Sequence, residues 1–194
     1  DGMQARLQNR LSQWQADLNQ IDTASGIAAG VDWNGQILRL VRYSTYPTPG
    51  YRQVVAWGLR EGRWVRWQSP PLSQRQAVTE AWQKALDAFT QAGAATGLGA
   101  SEPTDWVAVQ SWRVFYYRND SWSNPLSSAG SGPATPDGIR LEIDLAPQGN
   151  WVGLLRSDWV RPGLMLYGAN PLPEASEITA RLRPVMMTCI IAGV

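Results

Sequence analysis

The chain has 194 residues, with 17 basic against 16 acidic side chains, one cysteine and no histidine. This length suits one domain, or one domain with an appendage, and the basic residues form no run of the kind that binds nucleic acid. The lack of histidine excludes a Ser-His-Asp or Cys-His nucleophile and any histidine metal ligand, and a lone cysteine excludes an internal disulfide.

The first 22 residues predict an amphipathic helix, because apolar side chains recur at steps of three and four residues. We expect the second half of this stripe, from Trp14 to Ile21, to cover a sheet. The first half has less of the domain beside it, so we expect it to contact a partner protein. Since the stripe is already running at residue 3, we also expect the segment to continue a longer helix. The predicted partner-binding residues of the stripe are Met3, Leu7, Leu11 and Trp14.

The next segments alternate at the period of strands. Residues 36–43 predict one strand, and residues 52–68 predict a hairpin that turns at Glu61-Gly62. Ser73 then stands in a helix-capping position before a second apolar stripe, which predicts a helix over 73–92 that ends near Gly93.

Three more strands are predicted in the second half of the chain, over residues 106–118, 139–145 and 151–160. A polar insert rich in Ser, Gly and Pro, residues 119–138, separates the first two, which we expect to be neighbours in one sheet. In the strand 139–145 the apolar side chains alternate with charged ones, as in a strand with one buried and one solvent-exposed face. The predicted fold class is therefore α+β, with a long N-terminal helix packed on antiparallel sheet and a second helix near 73–92.

Eleven tryptophans raise the possibility of a carbohydrate-binding surface, because flat rings stack on sugars. Tryptophan is also a core and interface residue. We expect Trp57, Trp82, Trp112 and Trp151, which occupy periodic positions, to be mostly core. We expect Trp122, in the polar insert, to be exposed and to bind a partner protein.

Glu142 and Asp144 share one strand face about 7 Å apart, which is near the spacing that glycosidases use. An acidic pair beside Arg140 on a wet face is more simply a solvated surface. The same residues could coordinate calcium with Asp137, although no run of oxygen ligands at loop spacing is present. Nothing in the sequence supplies both a nucleophile and a base, so we predict no enzymatic activity, no cofactor and no catalytic metal.

The order of elements resembles the minor pseudopilin J family of the type II secretion system, also called prepilin-like protein J. The resemblance covers residues 1 to about 161. It is carried by "DGM" before a polar helix that contains tryptophan and "ADL", by "VAVQSWRVFYYRNDSWSNPL", and by the strand "PDGIRLEIDL". The resemblance implies a pilin-like form of the α+β fold.

Membership of this family would imply a structural subunit. It would join the minor pseudopilins I and K at the tip of the periplasmic pseudopilus, the fibre that pushes folded proteins through the outer membrane. It would also imply an inner-membrane helix upstream of Asp1. A minor pilin of a type IV pilus would share the helix and sheet, and a secreted tryptophan-rich glycan-binding module is a further alternative.

The tail has a different resemblance. Residues 161–187, "RPGLMLYGANPLPEASEITARLRPVMM", resemble a segment of alanine racemases in which an arginine lies near pyridoxal phosphate; the matching position is Arg161. That family also needs a Schiff-base lysine, and the only lysine, Lys84, lies in the unrelated context "AWQKALDAF". We therefore divide the chain into a pseudopilin-like domain, residues 1–161, and a tail, residues 162–194, to which we transfer no activity.

Overall fold

The computed structural model describes residues 2–44, 47, 49–90, 107–148 and 151–164. The predicted end of the second helix near Gly93, and nearly all of the racemase-like segment, lie outside these residues. The chain forms two compact units. One contains the chain up to Val107 together with Gly132–Thr135, and the other contains Ala108–Ser131 and the chain from Pro136 onward.

The first unit is built on four consecutive antiparallel strands, which we call sheet A: β1 (Val31–Trp33), β2 (Leu38–Ser44), β3 (Tyr51–Arg60) and β4 (Arg63–Gln68). The predicted hairpin is confirmed. Glu61 and Gly62 form its two-residue turn with φ of 51° and 71°, as a type I′ turn requires. β1 was missed, although Asn34-Gly35 is a hairpin signal; the Asn34 side chain accepts hydrogen bonds from the backbone of Gln36 and Ile37.

Two helices cover opposite faces of sheet A. They are α1 (Gly2–Asn19) and α2 (Arg75–Thr90), and the second confirms the helix predicted over 73–92. α2 lies on an apolar core made mainly of Val41, Val54, Trp67, Val78 and Trp82. A side chain at Gly58 of β3 would come within 2.8 Å of the Phe89 ring, so glycine is needed there for the end of α2 to approach the sheet.

The opposite face of sheet A receives α1 through a cluster of three fully buried indoles. The Trp14 ring centroid lies 5.6 Å from that of Trp57 and 5.7 Å from that of Trp64, and the latter two are 4.4 Å apart. Such tilted and edge-on aromatic pairs stabilise a core beyond the area that they bury. Leu18 is also buried, so the predicted packing of the second half of the stripe is observed.

A buried carboxylate, that of Asp17, joins α1 to three strands of sheet A. It accepts hydrogen bonds from Arg42 on β2 (2.5 Å), from the Trp57 indole on β3 (2.9 Å) and from two nitrogens of Arg66 on β4 (2.7 and 2.8 Å). A fully buried charge is tolerated only with such complete pairing. The position and rotation of α1 on the sheet are therefore set by this side chain.

A second buried carboxylate, Asp22, closes the chain reversal after α1. Its backbone N–H donates to the carbonyl of Val41 (2.8 Å), and its side chain accepts hydrogen bonds from Arg52, Tyr43 and the Ala24 N–H. Burial acts to raise the pKa of Asp22, but these hydrogen bonds outweigh it and hold that pKa below its ordinary value.

The second unit contains a further set of antiparallel strands, which we call sheet B: β5 (Val107–Arg118), β6 (Ser121–Ser123), β7 (Gly138–Gln148) and β8 (Trp151–Val160). β5 pairs with both β6 and β7, and β7 pairs with β8. The three long strands confirm the prediction, as does the pairing of 106–118 with 139–145. β6 was missed, because a three-residue strand is too short to show alternation.

The predicted pilin-like α+β fold, with a long N-terminal helix packed on the sheet, is wrong. The described residues are mainly antiparallel β-structure, with eight strands, two α-helices of only 18 and 16 residues and one 3-10 turn of helix, Ala28–Gly30. α1 ends at Asn19, and Ile21, the last residue of the predicted stripe, makes a β-bridge with Arg42 instead. Apolar periodicity located the helix correctly but could not show how little of the fold it provides.

Neither α1 nor α2 combines the length and apolar character that a membrane-crossing helix requires. This finding concerns the described residues alone.

Asp17→Asn should lower the free energy of unfolding by about 3–5 kcal/mol, because it leaves the guanidinium groups of Arg42 and Arg66, whose side chains are only 19% and 11% exposed, beside a neutral group. Urea unfolding followed by tryptophan fluorescence measures this loss. Asp32→Asn is the matched control: Asp32 bonds Arg39 at 2.9 Å but its side chain is 42% exposed, so the loss should stay below about 1 kcal/mol. Similar losses for both variants would contradict the role assigned to Asp17.

Candidate partner-binding surface

The two faces of sheet B differ sharply in composition. On one face the side chains are apolar and buried, among them Trp112, Val114, Ile139, Leu141 and Leu155. The other face, which we call the outer face of sheet B, carries aromatic and charged side chains that are mostly half-buried or exposed. Cross-strand register places them in rows: Arg113, Glu142 and Arg156; Phe115, Arg140 and Asp158; and Tyr117 beside Trp122.

Trp122 reaches the outer face because β5 and β6 form a tight hairpin. Asn119 and Asp120 occupy its turn with φ of 49° and 62°, a conformation that Asn and Asp adopt more readily than most residues. Arg118 therefore pairs with Ser121 and Tyr117 pairs with Trp122. The predicted exposed loop is in this part a strand, and Trp122 is half-buried.

The Trp122 ring contacts both an aromatic ring and a guanidinium group. Its centroid is 5.1 Å from that of Tyr117, and the Arg140 guanidinium carbon is 4.3 Å from it, a cation–π distance. Gly138 leaves space for this arrangement, since a side chain there would come within 3.1 Å of the Trp122 ring. The ring is thus held in place by contacts within the chain.

Arg140 is itself fixed by a bidentate ion pair with Asp158. Its Nε donates to Asp158 Oδ1 at 2.7 Å and its Nη2 to Oδ2 at 2.9 Å. This hydrogen bonding raises the pKa of Arg140 above its ordinary value, so the guanidinium is permanently charged. Two-point pairing fixes the plane of the guanidinium as well as its position.

Glu142 lies at the centre of the next row and is only 5% exposed. Arg113 donates to its Oε2 at 2.7 Å, and Arg156 donates through two nitrogens to its Oε1 at 3.1 and 2.7 Å. Burial acts to raise the pKa of Glu142, but hydrogen bonds from Arg113 and Arg156 outweigh it and leave the pKa below its ordinary value. The carboxylate is therefore ionised at neutral pH and fully engaged.

The ion pairs of Glu142 with Arg113 and Arg156 bear on whether this carboxyl group could serve as a catalytic acid. A glycosidase acid needs a carboxyl group with a raised pKa, whereas the pKa of Glu142 is lowered. Asp137 is bonded by Arg161 at 3.0 Å. In the described part of the chain no three Asp, Glu, Cys or His side chains are grouped as metal ligands. Among the described residues, the outer face of sheet B therefore presents rings and ion-paired charged groups.

The predicted partner-binding residues have different surroundings. Leu7, Leu11 and Trp14 are buried in the isolated chain, at 1%, 7% and 0% exposure, and Met3 is half-buried. The expectation that Leu7 and Leu11 would be exposed to solvent is wrong. Solvent exposure of these two side chains therefore gives no reason to expect a partner protein at this site. These residues belong to the first unit and Trp122 to the second.

Most tryptophans are core residues, as expected for Trp57, Trp82 and Trp112. Nine of the eleven have described side chains, and Trp122 alone among those nine is not buried. Of Trp151 the structure describes the backbone, in β8, so its predicted burial is untested. Tyr117 and Arg140 were missed as neighbours of Trp122; the turn residues Asn119-Asp120 between two aromatic segments were the available signal.

Part of the chain is similar to alanine racemases. The alanine racemase of Xanthomonas campestris pv. campestris (strain 8004) is 57% identical over 54 residues, which is 27% of this chain and 15% of the racemase. The alanine racemase of Xylella fastidiosa (strain 9a5c) is 41% identical over 71 residues, 36% of this chain and 18% of the racemase. The chain thus spans less than a fifth of the length of these relatives.

Two wider comparisons have no match. No protein-family model matches the chain. No solved structure is similar to it either. The comparisons therefore relate about a quarter of the chain to a segment of an enzyme, and they identify no family for the whole.

Glu142→Gln should destabilise the protein at neutral pH but hardly at all at low pH. A carboxyl group whose pKa is lowered on folding stabilises the folded state above its ordinary, unfolded pKa of 4.5, and this stabilisation is lost as the pH falls through the folded pKa. Urea unfolding from pH 7 to pH 3 should show the two free energies of unfolding converging. A constant difference across this range would contradict the ion pairing described for Glu142.

Proposed function

We propose that this chain is a non-catalytic assembly subunit, a minor pseudopilin of the J type. It would join the I- and K-type minor pseudopilins at the tip of a type II secretion pseudopilus, with its globular part in the periplasm and an anchor in the inner membrane. The observation that carries the proposal is the ordered cluster of rings and guanidinium groups on the outer face of sheet B.

The composition of this cluster favours protein binding. Tryptophan, tyrosine and arginine are the residues most enriched among those that dominate the energetics of protein interfaces. Here Trp122 contacts both Tyr117 and Arg140, and all three side chains are half-buried. Since their positions are set before binding, a partner would lose little free energy in ordering them.

Most of the apolar stripe on α1 is buried within the chain and is therefore not accessible to a partner protein. Leu7 and Leu11 were expected to bind a partner because they would otherwise face water, and both are covered within this chain. Met3 keeps partial exposure. Partner contact through α1 remains part of the proposal for Met3, but the outer face of sheet B is the main docking surface.

The absence of enzymatic activity is part of the same proposal. The alignment with an alanine racemase covers about a quarter of the chain, and Arg161, at the position matched to the racemase arginine, is engaged by Asp137. Lys84 is exposed on α2, whereas a Schiff-base lysine works in a shielded pocket beside its cofactor. We therefore assign neither racemase chemistry nor pyridoxal phosphate to this chain.

Two alternatives differ in their support. A minor pilin of a type IV pilus would use the same surface, so it is separated only by its partners. A glycan-binding module would present several tryptophans in a row, and the burial of eight of the nine described tryptophan side chains disfavours it.

Trp122→Ala should weaken binding to the I- or K-type minor pseudopilin by about 2 kcal/mol, or roughly thirtyfold in Kd, as expected for a central interface tryptophan. Co-precipitation with each purified subunit, followed by titration, measures the change. Leu126→Ala is the control, because Leu126 lies in the same insert and is 60% exposed.

Circular dichroism must show that both variants are folded. Unchanged affinity of a folded Trp122→Ala variant would exclude the outer face of sheet B as the docking site. Failure of the wild-type chain to bind either pseudopilin, with binding to type IV minor pilins instead, would overturn the assignment to type II secretion.

A further inference from the structure

β8 is an edge strand within the described part of the chain. It pairs with β7 along nearly its whole length, and no described strand pairs with its other side. β8 has ten residues and no proline. Every second residue of an antiparallel edge strand directs its N–H and C=O away from the sheet, so such an edge is a template for another strand.

The sequence of β8 is self-complementary when it is read against a second copy in the antiparallel direction. With Ser157 on the two-fold axis, Arg156 lies opposite Asp158 of the second copy, and Asp158 lies opposite its Arg156. In the same register Leu154 lies opposite Val160, and both are outer-face side chains. Opposite charges and apolar pairs in directly facing positions stabilise strand pairing.

Arg156, Asp158 and Leu154 are accessible enough in the folded chain to contact a second copy. Arg156 bonds Glu142 through Nε and Nη2, which leaves Nη1 available, and Glu142 is also bonded by Arg113. The side chain of Arg156 is 51% exposed and that of Asp158 is 28% exposed. Leu154, at 41% exposure, is one of three exposed large apolar residues among those described.

We propose that the β8 edge pairs with the β8 edge of a second copy of this chain, in the register that places Arg156 opposite Asp158. A perpendicular two-fold axis puts both outer faces on the same side, so the row Arg113–Glu142–Arg156 continues into Asp158 of the second copy. A single pair of edge strands buries less surface than a permanent dimer does, so the association is reversible and concentration-dependent. This inference does not depend on the proposed function.

Sedimentation velocity from micromolar to millimolar protein tests the association. The wild-type chain should shift from its monomer mass of 21.4 kDa towards twice that mass, and added salt should weaken the shift. Leu154→Lys should raise the dimer Kd at least about tenfold, because lysine on an edge strand opposes pairing. Leu126→Lys, at an exposed site outside β8, should leave the Kd unchanged.

A charge exchange tests the register. Arg156→Glu and Asp158→Lys each place like charges opposite one another in a homodimer, so each variant alone should be monomeric. Mixing the two restores opposite charges at both positions, and the mixture should dimerise.

Circular dichroism of each variant establishes that it is folded. A wild-type chain that stays monomeric over the whole range overturns the proposal. So does a wild-type dimer that Leu154→Lys leaves unaffected, because the dimer would then use another surface. A mixture of folded charge variants that remains monomeric overturns the register.

Discussion

Asp17 places a carboxylate on the buried face of α1, and the first unit is organised around the need to neutralise it. Its donors come from three different strands of sheet A, namely Arg42, Trp57 and Arg66. Without these donors the Asp17 carboxylate would be an unpaired charge in a low-dielectric interior. These hydrogen bonds hold the helix on the sheet in the position in which Trp14 packs against Trp57 and Trp64.

The second unit uses the same chemistry at a surface. Arginine–carboxylate pairs cross from strand to strand on the outer face of sheet B, through Glu142 and Asp158. There the pairs hold guanidinium groups and rings in a defined arrangement that a partner can contact. The same pairing keeps the carboxyl groups of Glu142 and Asp158 engaged by arginines.

The similarity of this chain to known proteins is partial. Similarity to alanine racemases covers about a quarter of the chain, and the relation to minor pseudopilins stays a proposal. Leu7 and Leu11 on α1 are buried within the chain, whereas Trp122 and its neighbours on sheet B are half-buried. An apolar helical stripe indicates that one face is covered, and it does not indicate whether the same chain or another chain covers it.

Local patterns in the sequence determined both helices, the Glu61-Gly62 hairpin and the long strands β5, β7 and β8, because periodicity and turn chemistry act between residues that are close along the chain. They also identified Trp122, although as an exposed loop residue. The contacts of Asp17 with residues 25 to 49 positions away, the stacking of Arg140 on Trp122, and the paired state of Glu142 were decided only by the tertiary structure. These contacts depend on strand register and on which faces meet, and such long-range choices leave no periodic trace in the sequence.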